Sequence, residues 1–236
     1  MNLKNAFDFL HIKECESTQD EALALAHEKK SSVLVLSDIQ TKGRGRRGRE
    51  WVSAPENSLL MTLAVPEKVA TPYASVFSLY AGAVLYITLL DKSEKFSALT
   101  LKWPNDLGIY EKEAFRKTAG LLVEFKKGYF LLGVGMNLKG ATPYKGALSL
   151  SEISDIYIDR VDLAKAYAEK LLEGLTAKHT QDKLLEFLSN KAMQKLWNKT
   201  LGAKWENHIA KGLAGEGALI SQSPSGKTEV IYSGDI

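Results

Sequence analysis

The chain has 236 residues, 45% of them hydrophobic and 25% charged, with a formal net charge of +3. That is enough apolar material for a sizeable core, it argues against disorder, and it fits one domain or one with a small appendage. The charge is too small for a protein that binds nucleic acid over its whole surface. The single cysteine, Cys15, excludes an internal disulfide and a four-cysteine zinc site. His11, His27, His179 and His208 show no metal-ligand spacing. The N-terminus lacks an apolar signal core, and the most apolar helical stretch, 81–90, falls well short of the roughly 18 residues of a membrane span. No membrane partner and a cytoplasmic location are therefore expected.

In chain order, loose alternation over 7–12 reads as a first strand. Ser17-Thr18 followed by Asp20-Glu21 and an apolar run is a helix start, and the helix should reach about Lys30. For Ser17 a simple cap is the plainer reading; the functional one has its hydroxyl and that of Thr18 facing a ligand. The run 33–36 is a buried strand. Residues 57–65 form another, ending at Pro66, and Thr71-Pro72 opens a helix in which Val76, Leu79, Ala83, Ile87 and Leu90 bury one face. Strands follow at 99–103, 117–125 and 129–138, the last two joined by a turn at Lys126-Lys127-Gly128. A short helix is expected at 149–153, and a longer one carries Leu163, Tyr167, Leu171 and Leu175. Another helix is expected within 184–197. From Gly202 onward short β-like runs alternate with turn residues, which suggests a small barrel or hairpin appendage.

Between Lys42 and Arg49 five cationic side chains are interleaved with three glycines. Glycine disfavours helix and strand, and adjacent positive charges repel, so this loop should stay irregular until an anion neutralises it. Glycine lets the backbone approach a phosphate closely, and arginine offers a planar fork to its oxygens. The plainer alternative is a solvated basic arm. A second motif, Lys102-Trp103-Pro104-Asn105-Asp106, ends a strand at proline and projects an amide and a carboxylate; it is ordinary turn chemistry or a place for magnesium and a nucleotide. Gly133 and Gly135 lie inside a strand, where glycine marks the close approach of a ligand or another backbone.

Taken in order, five segments resemble the biotin protein ligases: Ser17-Thr18-Gln19; Gln40 with the run from Gly43 to Arg49 and Trp51; Lys102 to Asp106; Lys117-Thr118-Ala119-Gly120-Leu121-Leu122-Val123-Glu124; and Gly133-Val134-Gly135-Met136-Asn137. The resemblance spans about 7 to 150, with a looser fit at Ser233-Gly234-Asp235-Ile236. It implies an α+β fold, a mixed and mostly antiparallel sheet packed with helices, divided into a catalytic domain over 1–196 and a small C-terminal β-barrel-like domain over 197–236. It implies that biotin and ATP, with Mg2+, give biotinyl-5′-adenylate, and that the biotinyl group then passes to a lysine of a biotin carboxyl carrier protein. Catalytic roles fall on Lys117 and Arg46. Biotin would be held by Ser17, Thr18, Gln19, Gln40, Arg44, Gly45, Arg46, Lys117, Gly120, Leu122, Gly133 and Gly135. ATP would be held by Arg46, Arg49, Trp51, Asn105, Asp106 and Asn137, with Asp106 toward the metal. Position 19 is Gln where many relatives have Asn, which touches the fine geometry of ring recognition.

The sequence leaves no room before the first strand for the DNA-binding domain some members carry, so the monofunctional form, without DNA as a partner, is expected. Oligomeric state is left open, a homodimer included. A lipoate or octanoate ligase or transferase of the same fold is the nearest rival, and the arginine loop followed by Trp51 argues for biotin. A nucleic-acid-binding module using the basic loop is the more remote one; it predicts steep salt dependence.

Overall fold

A computed structural model describes residues 6–70, 74, 76–111, 114–142, 144–176, 208–214 and 217–232. The helix start at Thr71-Pro72, the helix expected within 184–197, the boundary at 196/197 and the segment Ser233 to Ile236 lie outside the described residues.

The chain runs β1 (Asp8–Cys15), α1 (Thr18–Lys29), β2 (Val33–Gln40), β3 (Ser58–Pro66), α2 (Glu67–Ala70), α3 (Phe77–Leu90), β4 (Thr100–Lys102), β5 (Asp106–Glu111), β6 (Ala114–Lys126), β7 (Tyr129–Asn137), α4 (Arg160–Thr176), β8 (Ile209–Leu213), β9 (Leu219–Gln222) and β10 (Thr228–Ile231). The first seven strands form one sheet in the order β1-β2-β3-β7-β6-β5-β4, parallel only at β1–β2. That is the mixed, mostly antiparallel α+β architecture expected. The last three strands form a small antiparallel sheet among the described residues. This sheet is not independently cored. Leu219 and Ile231 are fully buried in the same apolar cluster as α3, α4 and β3, and the Trp103 indole N–H donates to the Gly217 carbonyl at 3.2 Å.

Strand alternation divides the large sheet into two faces. Leu34 and Leu36 of β2, Met61 and Leu63 of β3, and Leu132 and Val134 of β7 meet α3 and α4 in the main core. Val33, Val35, Ala64 and Leu131 point the other way and pack under Ala22 and Ala26 of α1. The expectation that α3 buries one face is too modest. Phe77, Leu79, Ala81, Gly82, Ala83, Val84, Leu85 and Leu89 are all buried, because the helix is enclosed between the sheet and α4, while Ile87 and Leu90 are only partly buried. A helix apolar all round is read as buried. α2, four residues long, was not legible.

α1 covers only part of its sheet face. Beyond its N-terminus, toward Thr62, Leu122, Gly120, Gly133 and Gly135, the face is bare. Gly120 and Gly135 are direct partners across β6–β7, and Gly133 is the partner of both Leu122 and Thr62. Three glycines clustered in adjacent positions leave a shallow depression with backbone for a floor.

Candidate active site

The depression is a small pocket of about 50 Å³, lined by the N-terminus of α1, the end of β2, the basic loop and the glycine floor. Ser17, Thr18, Gln19, Gln40, Arg44, Gly45, Arg46, Trp51, Asn105, Lys117, Gly120, Leu122, Gly133 and Gly135, expected to act together from the sequence, all line it. Ser17 occupies the N-cap position of α1, but its side chain makes no cap hydrogen bond and is buried instead against the pocket. The simple-cap reading therefore fails, and the side chain lines the pocket instead.

The inner end is a polar cluster. The Gln40 carbonyl oxygen accepts from the Thr18 backbone N–H at 2.7 Å and from the Thr18 hydroxyl at 2.9 Å. The Thr18 hydroxyl also meets the Thr62 hydroxyl at 2.8 Å. Gln19 donates through Nε2 to the Leu122 carbonyl at 3.3 Å, while its Oε1 is buried with no hydrogen-bond partner. A buried acceptor left unmade costs about 1–3 kcal/mol, so Gln19 is set to accept from a ligand N–H. A methyl group on Gly133 would come within 2.8 Å of Gln19 Nε2, so only glycine leaves room for this amide. Thr62 was missed from sequence. Its only signal is a single hydroxyl inside the apolar run Leu59 to Val65.

Lys117 enters the pocket because of a bulge. Strict alternation would place it with Ala119 and Leu121, on the core side. The β5–β6 register instead shifts between Leu107 and Gly108, which pair with Ala119 and Lys117 and leave Thr118 as the extra residue. Bulges re-aim side chains in this way. Thr118 is buried and its hydroxyl donates to the Asn137 carbonyl at 3.3 Å. The Lys117 backbone is held by Leu148, whose N–H donates to the Lys117 carbonyl at 2.9 Å. Its ammonium lies 2.7 Å from Asp106 Oδ1 and 5.2 Å from the centroid of the Trp51 ring. The indole lies over Gly120 and Gly135. Between them, Lys117 and Trp51 fill most of the depression, so what remains has room for a few water molecules.

As expected, the basic loop is irregular, with neither helix nor strand beyond a three-residue turn. Carboxylates of the protein pair with two of its cations, and a neutral amide holds a third. Lys42 pairs with Glu16 at 2.7 Å, Arg44 with both oxygens of Asp20 at 2.7 and 2.9 Å, and Arg46 Nη1 donates to Asn105 Oδ1 at 3.1 Å. A short 3-10 turn covers Arg46–Gly48, with Arg47 in the left-handed region at φ 58°. Burial first, then repulsion from Arg47, holds the Arg46 guanidinium below the ordinary arginine value, with Asp106 acting in the opposite direction. It remains a cation at any physiological pH, and an incoming anion would relieve that strain.

A larger cavity of about 640 Å³ shares Arg46, Trp51, Asn105 and Lys117 with the pocket. Arg47, Arg49, Lys102 and Tyr144 also line it, together with the carboxylates of Glu50 and Asp106, so it is a corridor in which positive charge outweighs negative. Arg49, Asn105 and Asp106, expected at the nucleotide, line this cavity beside Lys102 and Arg47, which stand in the motifs but carried no assigned role, and Tyr144, which carried none. Asn137 stands apart from both cavities. Its side-chain amide donates to the Leu148 carbonyl at 3.3 Å, so it braces the segment that holds the Lys117 backbone. Among the described residues no group of three or more His, Cys, Asp or Glu could hold a metal by itself, and no helix is long and apolar enough to cross a membrane.

The comparisons with known proteins agree with this geometry. A biotin–[acetyl-CoA-carboxylase] ligase of Paracoccus denitrificans is 35% identical over 142 residues, 58% of this chain. The chain spans 57% of that relative's length. A crystal structure of biotin protein ligase from Leishmania major in complex with biotinyl-5-AMP superposes with a TM-score of 0.68 at 25% identity, over 96% of this chain and 99% of that one. A biotin protein ligase from Aquifex aeolicus shares the fold with a TM-score of 0.74 at 24% identity, over 97% of each chain. The sequence profile of the biotin/lipoate A/B protein ligase family matches residues 12–140, more than half the chain and the stretch that carries the pocket. The chain belongs to the biotin/lipoate A/B protein ligase family.

Proposed function

We propose that the protein activates biotin with ATP to biotinyl-5′-adenylate and transfers the biotinyl group to a lysine of a biotin carboxyl carrier protein. The observation that carries this reading is a small pocket with a polar inner end joined to a cationic corridor, with Lys117 and Arg46 lining both. The first step brings a carboxylate against the α-phosphorus of ATP. Two anions meeting in a low-dielectric site repel strongly unless cations lie between them. The Lys117 ammonium is suited to neutralise the biotin carboxylate and the adjoining phosphate oxygens. Arg46 is suited to take charge from the α-phosphate as pyrophosphate leaves into the corridor toward Arg49. In the second step the neutral amine of the carrier lysine attacks the acyl carbonyl, the carbonyl–phosphate bond breaks, and AMP leaves.

Before any of this, Lys117 must exchange Asp106 for the substrate. Asp106 is then released beside the corridor. A single carboxylate of this kind suits Mg2+, which takes one or two carboxylates together with substrate phosphates and waters. Bound there, the ion would neutralise the departing pyrophosphate.

The polar inner end favours biotin over lipoate. A ureido ring offers two N–H donors and a carbonyl to Gln19, Gln40 and Thr18, whereas a dithiolane ring offers none. Lipoate would leave the Gln19 oxygen buried and unmatched, and sites built to hydrogen-bond a polar group reject analogues lacking it by large factors. The same contacts suit Gln at position 19 as well as Asn. ATP–pyrophosphate exchange tests the reading. Exchange stimulated by biotin supports it; exchange stimulated by lipoate or octanoate and not by biotin overturns it.

A further inference from the structure

Arg44 lies in the segment that resembles the biotin loop, yet its guanidinium is already engaged. Nη1 and Nη2 donate in parallel to the two oxygens of Asp20, at 2.7 and 2.9 Å, and Glu124 Oε2 lies 3.8 Å from Nη2. Glu124 is shared with Lys126 at 3.0 Å, so its charge is divided. The Arg44–Asp20 contact is the two-pronged geometry that makes an exposed ion pair count. The Nη1–Nη2 edge of this arginine is therefore occupied by the protein itself.

We propose that Asp20 is the positioning residue that keeps the basic loop shut over the adenylate. This rests on the adenylating reading given above. The loop is pinned on two sides, and the two pins differ. Arg46 is held by Asn105, a neutral amide that leaves its charge to meet a phosphate. Arg44 is held by Asp20, which lines neither cavity. The second pin therefore survives loading of the site. Asp20 sits in the first turn of α1, next to Gln19, so one rigid element carries both the ring-reading amide and the latch. Fixing Arg44 fixes the rest of the loop. Arg44 bridges to Glu50, the Gly45 N–H donates to the Arg49 carbonyl at 2.7 Å, and the Trp51 N–H donates to the Gly43 carbonyl at 2.9 Å. With the latch broken, the remaining cations of the loop repel one another, the flap opens more often, and water reaches the acyl-phosphate.

The test uses Asp20→Asn, which keeps the shape and removes the charge, and the reversed pair Asp20→Arg with Arg44→Asp. Two quantities are read: AMP released from biotin and ATP without carrier protein, and the rate of trypsin cleavage after Arg46, Arg47 and Arg49, the sites every variant keeps. For a partly exposed two-pronged pair, Asp20→Asn should raise both by about 5-fold, with the far-ultraviolet circular dichroism unchanged. The reversed pair should return both toward wild type relative to Asp20→Arg alone. A role for Asp20 confined to the helix dipole predicts the opposite for the reversed pair, since arginine in the first turn of a helix is unfavourable. Unchanged leakage and cleavage in Asp20→Asn, or no rescue in the reversed pair, would overturn the proposal. If the wild-type protein makes no adenylate from biotin, the ligase reading fails on that ground, and the trypsin arm still decides the latch.

Discussion

Gly135→Ala separates stability from activity. A methyl group at this position would come 2.6 Å from Trp51 Nε1 and 2.7 Å from Cδ2. Ordinary contact between heavy atoms is about 3.5–4.0 Å, so the indole must retreat by about 1 Å or more. Gly135 lies in the middle of the sheet, paired with Gly120 on one side and Leu60 on the other, and cannot yield. Trp51 sits at the end of a glycine-rich loop and can. Overpacking of this kind costs about 1–3 kcal/mol, and here the loop takes it by opening. The expected loss is therefore about 10- to 100-fold in biotin-dependent pyrophosphate exchange. Global stability should fall by less than this cost, because replacing Gly with Ala narrows the unfolded ensemble by about 0.4–1 kcal/mol in favour of the fold. Exchange assays and a thermal melt on the same preparation read both quantities. Trp51→Ala is the control: adding Gly135→Ala to it should cost nothing more, because the clash is gone. Exchange by Gly135→Ala within twofold of wild type, or independent losses in the two variants, would refute the reasoning.

Lys117→Ala should abolish pyrophosphate release while shifting the denaturation midpoint only slightly, because its pair with Asp106 is partly exposed and such pairs contribute about 1 kcal/mol or less; chemical denaturation and exchange on one variant check it. Asn105→Ala removes the oxygen that holds Arg46 and the amide that donates to the Leu121 carbonyl at 2.8 Å. It should raise the KM for ATP by about 10-fold, as the loss of a hydrogen bond to a charged group does, and steady-state kinetics would reveal it. The hydrogen bond from Arg44 holds the Asp20 carboxyl below its ordinary value of 3.8. A carboxylate with a lowered folded pKa contributes stability above its ordinary value and loses it as the pH falls through the folded one. Asp20→Asn should therefore flatten the acid limb of the stability profile between about pH 5 and 2, measured by urea unfolding at each pH.

The strands were legible because their apolar runs are bounded by proline, glycine and charge. β3 ends at Pro66, and β6 and β7 meet at Lys127-Gly128, both with positive φ. The glycine floor was legible as a close-approach signal within β7. The bulge at Thr118 was not, since nothing in a run from Ala114 to Lys126 announces an extra residue, and without it Lys117 would face the core. Asp20 was read as a helix-start acid, because its partner lies 24 residues away. Asn137 was read with its glycine neighbours, but the chain returns at Leu148 to take its amide. Omissions of this kind share a cause: contacts made by chain folding back carry no local pattern. α3 was underread because periodicity registers contrast between faces, and a helix buried all round has little.

The central claim is that Lys117 and Arg46 let the biotin carboxylate meet ATP. The most direct measurement is mass spectrometry of a purified carrier domain after incubation with biotin, ATP, Mg2+ and either wild-type protein or Lys117→Ala. One biotinyl group added on one lysine by the wild type, and none by the variant, is the predicted result. Equal biotinylation by both, or none by the wild type, would contradict the account.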